Sequence, residues 1–153
     1  GRHTLSGPLP PSPDLPPSPD LRQIVRDTTT IAVVGASANP DRAGYEVYSY
    51  LVGTGDYRVY PVNPTITEID GAPTYPSLAD LPEPVDLVDV FRRSSELPAV
   101  LADVLAMPVR PRTLWLQLGL SDQDVAQRAE AAGITVVMDR CPKIEIPRLG
   151  LLR

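Results

Sequence analysis

The chain is short of the residues that perform most protein chemistry. His3 is its only histidine and lies in a proline-rich stretch, so Ser-His and Cys-His catalysis, histidine metal sites and phosphohistidine relays lack their essential group. Lys143 is the only lysine; a Schiff-base mechanism would have to use it, and nothing around it marks such a role. Cys141 is the only cysteine, which excludes an intrachain disulfide and a thiolate metal cluster and points to a cytoplasmic protein. Runs of about 18 apolar residues are absent, and the first residues lack the basic-then-apolar layout of a secretion signal; the expectation is a soluble protein with no membrane partner. A formal charge of −5 argues against nucleic acid, whose binding needs a field of Lys and Arg to displace counterions.

What is present fits one folded unit. A chain of 153 residues with 42% hydrophobic content can bury roughly 70% of its unfolded surface without staples. Residues 1–20 carry seven of the nineteen prolines, and PPSPDL occurs twice in tandem at 10–15 and 16–21. Such a segment favours polyproline geometry and cannot bury a core, so the division expected is a disordered arm over 1–20 and a single domain over 21–153. Ser18-Pro19 reads as a cap and first turn, with Leu21, Ile24 and Val25 spaced to lay a short helix on the body.

From residue 30 onward short apolar strands alternate with helical segments, the pattern of a parallel sheet covered on both faces. Strands are predicted at 30–35, 57–62, 86–91, 113–118 and 134–138, with helices at 43–53, 95–106 and 122–132. Ser121 is placed to cap the last helix, and Asp122 and Asp124 suit its dipole. Residues 63–82 hold five prolines or glycines and read as loop with one helical turn. The fold class is α/β, a Rossmann-like doubly wound, five-stranded parallel sheet; right-handed crossovers suggest the order 3-2-1-4-5. Ligands of such sheets sit beyond the carboxyl ends of the strands.

Those ends carry a coherent set of residues. The first strand runs into Gly35-Ala36-Ser37 and then Asn39 to Arg42, small residues that let a phosphate approach bare amides while the next helix turns its positive end to the same point. Val62-Asn63-Pro64 follows the second strand, Phe91-Arg92-Arg93 the third, Gln117-Leu118-Gly119 ends the fourth, and Asp139 to Lys143 follows the fifth. Trp115 and Leu116 are expected to pack on opposite faces of the fourth strand. An amide side chain such as Gln117 in an apolar run needs a hydrogen-bond partner, structural or ligand. Asp86, Asp89 and Asp139 could supply carboxylates, but Asp86 and Asp89 show no partner arrangement and are as readily read as caps of strand ends.

The motifs VVGAS-NPDR, YPVNP, PSLADLPEPVDLVDVFRR, WLQLG and MDRCPKIE run in that order across about residues 30–146. In them the chain resembles the bacterial CoA-binding domain family, related to the CoA-binding domain of the succinyl-CoA synthetase alpha subunit. The resemblance implies coenzyme A lying across the carboxyl edge of the sheet. Gly35, Ala36, Ser37 and Arg42 would then face phosphates, with Asn39 in the same loop. Asn63 and Pro64, next to Val62, would flank the nucleotide, while Phe91 and Arg92, beside Arg93, would contact the adenine or pantetheine side. Gln117 and Gly119 remain site candidates. Cys141 would meet the thiol arm; a quiet, partly buried cysteine is the expectation, with a mixed disulfide as the alternative if Arg140 or Lys143 lowers its pKa.

A dinucleotide module for NAD or NADP is the competing reading within the fold. It expects G-x-G-x-x-G and an acidic residue about 20 positions on; here Gly44 is the next glycine after Gly35, and the second strand ends in Asn63. An acyl-CoA synthetase of the resembled lineage needs a ligase domain, a nucleotide-grasp domain and a phosphorylated histidine, and this sequence offers none of them. The expected function is therefore binding of CoA or an acyl-CoA without turnover. A regulatory protein that senses acyl-CoA and recruits an unknown partner through the arm is a further alternative.

Overall fold

A computed structural model of the protein describes residues 20–148. Helix α1 (Leu21–Asp27) leads into strand β1 (Thr30–Val34), then α2 (Ala43–Thr54), β2 (Arg58–Val62), β3 (Glu68–Ile69), β4 (Ala72–Pro73), β5 (Leu87–Val90), α3 (Leu97–Leu105), β6 (Thr113–Leu116), α4 (Gln123–Ala131), β7 (Thr135–Val137) and α5 (Pro142–Arg148). Five strands form one parallel sheet in the order β2-β1-β5-β6-β7, and β3 and β4 pair as a small antiparallel hairpin.

Alternation along the strands builds two cores. Ile31, Val33, Leu87, Trp115 and Val137 pack against Val25 of α1, Val47, Tyr48 and Leu51 of α2 and Ile146 of α5. Ala32, Val34, Val88, Val90, Leu114, Leu116 and Val136 face the other way, onto Leu97, Leu101 and Val104 of α3 and Val125, Ala126 and Ala129 of α4. Trp115 and Leu116 thus lie on opposite faces, as expected. Burial on both sides explains why the strands read as continuous apolar runs.

The fold class and all five parallel strands agree with expectation, but the place of one strand does not. Counted along the chain, the five strands lie 2-1-3-4-5 in place of 3-2-1-4-5: the third, β5, pairs with β1 through Ile31↔Leu87 to Val34↔Val90. The right-handed rule fixes the hand of a crossover and leaves the choice of neighbour open. Here the outer edge of β2 is already used, because Tyr75 donates to Pro61 O at 2.9 Å and accepts from Asn63 N at 3.0 Å. Pro61 itself has no N–H to offer a further strand, so its presence marks β2 as an edge. Arg58, at the start of β2, grips Glu83 through two bonds of 2.8 and 2.9 Å, and with the Tyr60 hydroxyl it holds the Glu83 carboxyl down at about 2.

Local departures have local causes. The stretch 63–82 contains the hairpin as well as a 3-10 turn at Leu78–Asp80; Asp70 and Gly71 take φ of 50° and 86° at its tip, the Asp-Gly hairpin signal. Helix α3 begins at Leu97 after a 3-10 turn at Ser94–Glu96, and Asp122 caps α4 by accepting from Val125 N at 3.0 Å, a role assigned above to Ser121. Asp20 caps α1, accepting from Gln23 N at 3.2 Å. Ser18, Pro19 and the arm before them lie outside the described residues. Helix α5 was not anticipated; Pro142 opens it, where a missing N–H costs nothing.

Candidate functional site

A cleft of about 1050 Å³ opens beyond the carboxyl ends of the parallel strands. Its position follows from the strand order: the chain leaves β1 for β2 on one side and enters β5 on the other, so β1 and β5 form the point where the winding direction reverses. Where β1 and β5 separate toward α2 and α3, Gly35 takes φ 85° and its backbone comes so close to Phe91 that a Cβ would sit 2.0 Å from Phe91 O. Gly44, in the first turn of α2, is equally constrained, since a Cβ there would lie 2.6 Å from Gly35 O. These two glycines draw the β1 loop, the β5 end and the start of α2 into one corner.

The loop between Gly35 and α2 is stitched from within. Gly35 N donates to Val62 O at 2.9 Å, Asn39 N to Ser37 Oγ at 3.0 Å, Asp41 N to Asn39 Oδ1 at 3.0 Å and Arg42 N to Asn39 O at 3.0 Å. The Gly35 amide is therefore spent on the sheet, and the glycine serves by its shape. The amides of Ser37 and Ala38 have no acceptor among the described residues and lie on the cleft wall, beside the opening turn of α2. Arg42, Arg92 and Arg93 border the same space without an ion-pair partner among the described residues. The fourth cation, Lys143, is engaged by Glu46 at 3.1 Å.

Ten of the sequence-derived candidates meet in this cleft: Gly35, Ser37, Asn39, Arg42, Asn63, Phe91, Arg92, Arg93, Gln117 and Cys141. Asn63 is a brace as well as a wall, donating from Nδ2 to Ala36 O at 2.8 Å and accepting at Oδ1 from Thr65 N at 2.8 Å. Four others stand elsewhere. Ala36 and Val62 point into the core, Pro64 is exposed outside the cleft, and Gly119, at φ 89°, donates its amide to Asp139 Oδ1 at 2.6 Å. Residues not singled out beforehand also line the space: Gly44, Glu46, Thr65, Ile66, Leu120 and Ile144. Gly44 and Glu46 are one helical turn past the recognised loop, a spacing that could have suggested them; Ile144 sits on the unanticipated α5.

Cys141 departs from the reactive alternative. Burial pushes its thiol pKa up, aided by the negative charge of Glu46 and only partly opposed by the Lys143 and Ile144 amides. Lys143, one of the two neighbouring cations, is itself held by Glu46 at 3.1 Å. The acids also resolve. Asp86 caps the sheet as expected, its Oδ2 accepting from Thr29 N at 2.8 Å and Thr30 N at 3.1 Å. Asp89 does not: it is fully buried in the middle of β5, and its Oδ1 accepts from Gln117 Nε2 at 2.9 Å. Burial raises its pKa well above the ordinary aspartate range, with the Gln117 and Val90 hydrogen bonds opposing.

An open, partly apolar cleft with amides and guanidinium groups that have no partner among the described residues suits an elongated ligand with an anionic head. Comparison with known proteins gives that site a family. The match to the family described as CoA binding domain covers residues 29–147. The uncharacterized protein YneT of Bacillus subtilis (strain 168) is 38% identical over 124 residues, 81% of this chain and 90% of that protein. A solved Thermus thermophilus structure, cell-free ID.343, superposes with a TM-score of 0.78 at 44% identity, covering 84% of this chain and 96% of that one. The alpha subunit of the ADP-forming acetate–CoA ligase II of Pyrococcus furiosus is 44% identical over 57 residues, 37% of this chain and 12% of that subunit. From just before β1 into α5, the segment that builds both the sheet and the cleft at its carboxyl edge is one continuous match, and the chain belongs to the CoA binding domain family.

Proposed function

We propose that the protein binds coenzyme A or an acyl-CoA in the cleft at the carboxyl edge of the sheet and performs no chemistry on it. The observation that carries the reading is the grouping of Arg42, Arg92 and Arg93, without ion-pair partners among the described residues, around the amides of Ser37 and Ala38. A guanidinium fork matches phosphate oxygens, and each charge-assisted bond contributes about 1.5–3 kcal/mol net. A few such bonds with partial burial of the adenine reach about −8 kcal/mol, a micromolar affinity. The space also reaches from this cationic end to Cys141, which follows β7 at the other edge of the sheet, the direction a thiol arm would take.

The absence of turnover is supported by how the carboxylates are used. Asp86 and Asp139 accept backbone amides, and Asp89 is buried against Gln117. The acetate–CoA ligase subunit shares only a fraction of its length with this chain, so its name lends support to the ligand and none to the reaction.

Isothermal titration of the purified protein with CoA, acetyl-CoA, NAD and NADP tests the reading. CoA or acetyl-CoA should bind, and Arg42→Ala should weaken binding by about tenfold or more with the fold intact. Tight binding of a nicotinamide dinucleotide with no heat from CoA would overturn it. Turnover of acetyl-CoA that disappears in Asp139→Asn or Cys141→Ser would overturn the non-catalytic part.

A further inference from the structure

The centre of the sheet holds a carboxyl group that the packing of the fold does not call for. Asp89 lies in β5, in register with Val33 of β1 and Trp115 of β6, on a face otherwise lined by apolar side chains. Its Oδ1 accepts from Gln117 Nε2 at 2.9 Å, and its buried Oδ2 has no partner among the described residues. The group borders a cavity of about 20 Å³ shared with Leu51, Trp115 and Ile146. Burial favours the protonated form of Asp89. A neutral acid bonded in this way offers Oδ1 as a carbonyl-type acceptor, which turns the Gln117 amide so that Nε2 faces Asp89 and Oε1 faces away.

Gln117 is 5% exposed and lines the cleft. No described residue donates to its Oε1. An acceptor on a residue that lines the cleft and has no donor among the described residues is available to a ligand N–H. Position says which part of a ligand passes there. Along the carboxyl edge the order is β1, β5, β6, β7, so Gln117 at the end of β6 stands between the Ser37 to Arg42 corner and Cys141. At about 4.8 Å per strand it lies about 10 Å across the sheet from the β1 corner. A pantetheine arm running from phosphates held at β1 toward Cys141 would cross it, and that arm carries two secondary amides.

We propose that Gln117 Oε1 accepts a hydrogen bond from an amide N–H of the pantetheine arm, and that Asp89 is a positioning residue that fixes the Gln117 amide in the accepting orientation. The assignment rests on the CoA reading above and adds to it a determinant for the arm, separate from the phosphate site.

The test compares CoA with adenosine 3′,5′-bisphosphate, which keeps charged phosphates and lacks the arm, on the full chain by calorimetry. Gln117→Leu is expected to weaken CoA about tenfold and to leave the bisphosphate within about twofold, a split that a merely structural role would not produce. Because that variant strands Asp89 Oδ1, the double variant Asp89→Leu with Gln117→Leu, apolar on both sides, is measured beside it, with far-UV circular dichroism confirming the fold; it should show the same split. Asp89→Asn, whose amide oxygen still accepts from Nε2, should retain CoA affinity within about threefold. CoA affinity unchanged in the Gln117 variants, or equal loss of both ligands, overturns the assignment and leaves CoA as the ligand. A wild-type protein that binds no CoA overturns both.

Discussion

At position 35 the lack of a side chain decides where three elements meet. Gly35→Ala would force a Cβ to within 2.0 Å of Phe91 O at a φ of 85°, so a loss of at least about 2 kcal/mol is expected in urea unfolding, with weakened ligand binding in whatever remains folded. A second residue-scale prediction concerns Asp89. A carboxyl whose pKa is raised on folding holds its proton more tightly in the native state, so unfolding releases that proton at any pH between the ordinary value of 3.8 and the raised native one. Stability therefore falls as pH rises through that window, by at most about 1.4 kcal/mol per pH unit. Asp89→Asn keeps a neutral group and removes the slope: its melting temperature should match wild type near pH 4 and exceed it by a growing margin as pH rises from there through the window. The sequence showed the loop glycine and the arginines because each has a local signature after a strand. Asp89 was hidden because DLVDVF presents two similar acids, and the partner that separates their roles, Gln117, is 28 residues away.

Elements were legible where their signals are repeated along several residues. Each of the five parallel strands is an apolar run, and α2, α3 and α4 keep their spacing within a few residues of expectation. Short elements escaped: β3 and β4 have two residues each, and their turn signal, Asp70-Gly71, lay inside a stretch crowded with other breakers. Helix α5 contains Pro147, which hid its period. Capping is where neighbouring residues compete, and α4 gives a direct measurement. Asp122→Ala should cost about 1 kcal/mol by removing the bond to Val125 N, while Ser121→Ala should stay within about 0.5 kcal/mol. Equal effects would return the cap to Ser121.

The whole molecule has a formal charge of −5, yet its cleft gathers Arg42, Arg92 and Arg93. Attraction of an anionic ligand is then local and works against the global charge, so it should be sensitive to screening. Raising salt from about 0.05 to 0.5 M should weaken CoA severalfold by titration while leaving pantetheine, which carries no phosphate, little changed. Strand order was the large-scale feature that the sequence left open, because Pro61 and Tyr75 close the far edge of β2 and that closure joins a strand to a loop twelve or more residues away. The hairpin that follows β2 bears on the cleft from outside. Tyr45 of α2 donates its hydroxyl to Asp70 Oδ2 at 2.7 Å, and the segment from Asn63 to Ile66 leads from the cleft wall into β3. Occupancy of the cleft should therefore quieten this clasp: on adding CoA, deuterium uptake at the Asn63 and Thr74 amides is expected to slow by mass spectrometry, a protective echo beyond the contact surface itself.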